Sequence, residues 1–70
     1  MSNGILNNHT NLRDGPDHYS AIRAKVGRDR GVEILDRRAK WPWVKVRVKS
    51  GDHSGLVGWM HSGNIDMDRE

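Results

Sequence analysis

Cysteine and phenylalanine are absent from the 70 residues, proline occurs twice and tyrosine once. Without cysteine there is no disulfide framework, no thiolate metal site and no cysteine nucleophile. The usual staples of a very short chain are therefore missing, and folding must rest on one modest apolar core. Long apolar runs are missing as well. No stretch approaches the roughly 20 apolar residues of a membrane-spanning helix, and MSNGILNNHT lacks the basic start and apolar run of a secretory signal. As written the chain reads as cytoplasmic, or as a cell-envelope or exported domain if it is excised from a longer protein. Internal repeats and low-complexity tracts are absent, and the length allows one domain rather than two.

What is present is globular in character. Hydrophobic residues make up 34% and charged residues 30% of the chain, above the range of disordered sequences. Charge is unevenly placed: the segment from Arg23 to Lys49 carries a local balance of +7, against −4 over the rest. A basic middle of this kind attracts phosphate backbones, anionic wall polymers or an acidic protein face. It is equally what a soluble surface of mixed charge looks like.

The dominant hydrophobic period is two. In Trp43-Val44-Lys45-Val46-Arg47-Val48-Lys49 the valines share one face and Trp43, Lys45, Arg47 and Lys49 the other, which predicts a half-buried strand. Val32 to Leu35 predicts another, ended by a polar stretch and Pro42. Leu56 to Met60 follows a turn rich in Ser and Gly, in which Gly51 and Gly55 permit positive φ, and should pair with the preceding strand as a hairpin. Thr10 to Arg13 is extended, Asp14-Gly15-Pro16-Asp17 is a loop, and Ile22 to Val26 is read as a strand between that loop and Gly27. Several short strands at spacings of about ten residues, with no helix-length pattern, predict a small all-β barrel or sandwich. The expected core is Leu12, Ile22, Val26, Val32, Ile34, Val44, Val46, Val48, Met60 and Ile65. Residues 1–9 are expected to be a flexible segment, 10–66 the domain and 67–70 a tail.

Catalytic constellations are not found. Ser20, Ser50, Ser54 and Ser62 have no G-x-S-x-G elbow, and the carboxylates are scattered at turns and chain ends. His9, His18, His53 and His61 have neither helical i, i+4 spacing nor a neighbouring carboxylate pattern of the H-E-x-x-H kind, so no metal is expected. No cofactor is expected either, since no glycine loop is placed to cradle a phosphate.

Four segments, in order, resemble a known family. Asn11-Leu12-Arg13-Asp14-Gly15-Pro16, Val32-Glu33-Ile34-Leu35, Trp43-Val44-Lys45-Val46 and Gly58-Trp59-Met60-His61-Ser62 are similar to successive motifs of bacterial SH3-like (SH3b) domains, with Ile65 at the closing aliphatic position. The resemblance covers roughly Thr10 to Ile65 and implies an SH3-like partly open barrel of five to six short antiparallel strands. Three departures stand out: the glycines after Val26 are Gly27 and Gly31 rather than one between them, Ser20 aligns with a loop aromatic, and Gly63-Asn64 replaces a Ser-Tyr pair. Gly15 and Pro16 set a turn, Gly58 allows a close backbone approach, and Arg13 can bond loop carbonyls through its guanidinium fork.

Three tryptophans in so short a chain leave at least one facing solvent. Trp43 lies opposite the valine face and takes the place of the family's groove tryptophan, so it is the leading binding residue, while Trp59 reads as packing. Tyr19, His18, His61 and Trp41 are the other groove candidates, whereas His9 and His53 read as ordinary loop polarity. The resemblance implies a non-catalytic module for a peptide, a peptidoglycan peptide or a protein partner, not membrane-inserted and monomeric outside a larger assembly. Two rivals remain: a nucleic-acid binder using Lys45, Arg47 and Lys49 with stacking tryptophans, and a structural subunit of an assembly.

Overall fold

The computed structural model describes residues 2–67. Among these, seven strands run β1 Ser2–Leu6, β2 Thr10–Arg13, β3 Ile22–Val26, β4 Gly31–Asp36, β5 Trp43–Val48, β6 Val57–His61 and β7 Ile65–Met67, with a 3-10 turn at Ser62–Asn64. They form one antiparallel sheet in the order β3-β2-β6-β5-β4-β1-β7. Its inward side chains, among them Leu12, Val26, Val32, Val44, Val46, Met60 and Ile65, gather into a single buried cluster. A single sheet can bury one face on itself only by curling, and with β3 and β7 at its two ends the result is a partly open barrel. The all-β, SH3-like reading of the sequence holds.

The alternation in β5 is obeyed throughout: Val44, Val46 and Val48 are buried, and Lys45 and Arg47 are exposed. β5 and β6 form the expected hairpin, with Trp43 opposite His61 and Val46 opposite Gly58. Its connection uses left-handed backbone at Gly51 (φ 85°) and Gly55 (φ 96°), a conformation that only glycine adopts without strain. Gly58 is required by packing. A Cβ there would lie 2.7 Å from Leu12 Cγ and 2.8 Å from the Arg13 carbonyl oxygen, so its absence lets β2 cross directly over β6.

Two expectations are corrected. Residues 2–6 are not loose: they pair with β4 on one side and β7 on the other, and Leu6 is buried in the core. Their polar, glycine-containing sequence conceals this because pairing to two neighbours supplies the order that propensity does not. Gly4 contributes by omission, since a Cβ would stand 2.6 Å from Ile65 Cγ2 on the adjacent strand. At the other end Met67 belongs to β7, and residues 68–70 of the expected tail lie outside the described residues. The second correction concerns Ile22, which is 45% exposed rather than in the core. Leu12 pairs with Ala24 but Arg13 pairs with Ile22, so Arg23 bulges from β3 and turns Ile22 outward, leaving Ala24 and Val26 to fill the inner face.

Candidate functional site

β2 and β6 share a single register pair, Arg13 with Trp59, and then separate. The gap that opens beyond this pair is a cavity of about 200 Å³. Thr10, Asn11 and Arg13 line it from β2, Trp43 and His61 from the β5–β6 pair, and His18 and Asn64 close it from flanking loops. At its back Asn64 Nδ2 donates to Thr10 Oγ1 at 3.0 Å, bridging the two sides of the wedge.

Trp43 stands at the centre of an aromatic row. The His18 ring meets it edge-on at 4.9 Å and 77°, and the His61 ring at 5.6 Å and 79°. Edge-to-face contacts of this kind are favourable and fix ring orientation. The His61 ring is held by the backbone of the turn that follows it. His61 Nδ1 accepts from the Gly63 N–H at 3.1 Å, which sets the ring at the start of the 3-10 turn.

His18 is held through its loop. Arg13 Nη1 donates to the carbonyls of His18 (2.9 Å) and Ser20 (3.0 Å), the structural use expected of its fork. Inside the same loop Asp17 Oδ1 accepts from the Tyr19 and Ser20 N–H groups and from Ser20 Oγ. The hydroxyl bond of Ser20, then the two backbone N–H groups, with the nearby Arg13 charge adding to them, hold the Asp17 carboxyl below its usual range. A second exposed carboxylate repeats the pattern: Asp36 accepts from the Ala39 and Arg38 N–H groups and is likewise lowered, with Lys45 as a lesser cause.

Of the five groove residues expected from sequence, Trp43, His18 and His61 come together. Tyr19 and Trp41 do not: neither lines the cavity, Tyr19 is 97% exposed at the tip of its loop and Trp41 is 59% exposed. His9, read as ordinary loop polarity, is instead a lining residue. Thr10, Asn11 and Asn64 were not picked out as groove residues, although Asn64 was visible as the replacement of a family tyrosine. Lys45, Arg47 and Lys49 share the outer face of β5. Their charge is partly engaged, since Arg47 Nη1 donates to Glu33 Oε1 (2.9 Å), Lys49 Nζ donates to Asn3 Oδ1 (3.1 Å) and Lys45 lies across from Asp36. Trp59, half-buried, sits between Arg13 and Lys45 in register. Among the described residues no group of three His, Asp or Glu is arranged to hold a metal ion, and no helix is long and apolar enough to cross a membrane.

An open antiparallel barrel with a shallow aromatic cavity where two strands part defines a small SH3-like domain. The chain matches the bacterial SH3 domain family over residues 8–66 and belongs to that family. No curated protein and no solved structure matches it. Domains of this family are in general non-catalytic binding modules that take peptides or cell-wall polymer.

Proposed function

We propose that this domain is a non-catalytic recognition module that binds a peptide of the peptidoglycan stem in the wedge between β2 and β6. The observation that carries the reading is the His18–Trp43–His61 row on the wall of the cavity between β2 and β6. Three pre-oriented rings beside half-buried amide and hydroxyl groups suit an extended peptide, whose apolar faces contact the rings and whose backbone bonds to Asn11, Asn64 and Thr10. A wall ligand would also place the working domain at the cell envelope.

The basic face of β5 favours nucleic acid less, because Arg47 is paired with Glu33 of β4 and Lys49 donates to Asn3 of β1. An NMR shift titration with a soluble stem peptide and, separately, with a short single-stranded oligonucleotide tests both. With the stem peptide, shifts should centre on the Trp43 indole, His18, His61 and Asn64, and Trp43→Ala should abolish them. Shifts centred on Lys45, Arg47 and Lys49 with the oligonucleotide would overturn the reading, provided log affinity falls against log salt with a slope near −2 to −3 for about three phosphate contacts. Absence of any response to either probe would favour a structural subunit.

A further inference from the structure

Resting on the peptide reading, we infer that the cavity selects its ligand through an anionic carboxylate, so that the residue it captures is a chain terminus or an acidic side chain rather than an internal neutral segment. Every ionisable side chain lining the cavity is basic in type: Arg13, His9, His18 and His61. No carboxylate lines it. Acids adjacent in sequence to lining residues are engaged elsewhere, Asp17 with the N–H groups of its own loop and Asp14 with Arg23, and Asp66 accepts from Asn7. A wall that carries the Arg13 guanidinium and no counter-charge of its own is complementary to an incoming anion and repels a cation.

The donors fit the charge. A guanidinium carries five N–H groups in a planar fork. Both side-chain bonds of Arg13 use Nη1, to two loop carbonyls, and leave Nη2 and Nε without a partner among the described residues. In the neutral state a His61 ring that accepts at Nδ1 carries its proton on Nε2, which is a donor. The Asn11 and Asn64 amides add neutral donors beside them. A planar carboxylate offers two acceptor oxygens to such a set, and the Trp43 face supports the carbon skeleton behind it. The volume of about 200 Å³ admits one residue of a peptide, not a bulky polymer segment.

The test compares a stem peptide with free carboxylates against the same peptide with every carboxyl amidated, by NMR titration of the full chain. The free form should bind at least about tenfold more tightly, the effect of one charge-assisted hydrogen bond. Asn11→Asp, nearly isosteric and on the cavity wall, should erase that preference by weakening only the free form. Equal affinities of the two forms would overturn the carboxylate assignment while leaving the peptide reading intact. Failure of both forms to bind would overturn the peptide reading and the inference with it. A third arm uses acetate and inorganic phosphate. Phosphate shifting the cavity resonances more strongly than acetate would replace the carboxylate by a phosphate ester as the recognised group.

Discussion

Arg13 Nη1 donates to the His18 carbonyl at 2.9 Å, and the ring of that same His18 lies 4.9 Å from Trp43. One residue on a rigid strand thus fixes the loop that completes the aromatic row. Both bonds leave one nitrogen, whose two N–H groups the planar guanidinium holds in fixed directions, whereas a freely rotating lysine ammonium lacks that fixed geometry. Arg13→Lys should therefore cost about 1–2 kcal/mol in a denaturant melt, one of the two bonds being solvent-exposed. It should also shift the His18 ring resonances far more than those of Val46. Unchanged His18 resonances would show that the loop is held without Arg13.

Leu6 distinguishes an integral first strand from a loose one. Fully buried, it should lose about 2–4 kcal/mol of stability on Leu6→Ala. Its neighbour Ile5, 52% exposed, should change stability by no more than about 0.5 kcal/mol on Ile5→Ala. The pair forms an internal control in thermal or chemical melts. Equal, negligible effects at both positions would mean that residues 2–6 do not contribute to the fold.

The contrast between β5 and β1 shows what alternation can and cannot reveal. Val44, Val46 and Val48 announce their face because hydrophobic period and burial coincide. In β1 Gly4 and Leu6 are buried, and a glycine carries no hydrophobic signal, so the strand is visible only through its two partners. Ile22 misleads for a different reason, since a bulge at Arg23 is a property of pairing and not of either strand alone. In the site, Trp43 was legible from its place opposite the valines. His18 and His61 were legible beside it, but His9, Thr10, Asn11 and Asn64 were not, because the cavity exists only where β2 and β6 part after a single register pair.

Asp29 gives a stabilising substitution. It adopts the left-handed region (φ 69°), at the place between Gly27 and Gly31 where related domains carry glycine, and its N–H donates to the Leu6 carbonyl at 2.8 Å. The turn therefore needs the conformation, and aspartate adopts it at some cost. Its ion pair with Arg28, at 3.9 Å between exposed groups, offsets little of this. Asp29→Gly should raise stability by roughly 0.5–1 kcal/mol after the extra unfolded-state entropy of glycine is counted. Asp29→Val should lower it. A destabilised glycine variant in a denaturant melt would show that the aspartate side chain contributes more than the backbone strain removes.

Asp17 and Asp36 give the domain a dependence on acid whose direction follows from their bonds. Each carboxylate accepts loop N–H groups only in the folded state, which holds its pKa below the usual aspartate range. The folded form then binds fewer protons than the unfolded one through that range. Their contribution is complete above the unfolded value and disappears as pH falls through the depressed folded values. Thermal melts should accordingly show a falling midpoint on acidification below about pH 4. Because both groups are fully exposed, solvent screening keeps the effect small, and the double variant Asp17→Asn, Asp36→Asn gives the sharper comparison. Asparagine keeps an acceptor oxygen without a titrating proton, so the variant should be the less stable at pH 7 yet lose less on going to pH 3. An identical loss in the variant and the parent would show that these two carboxylates do not carry the acid sensitivity.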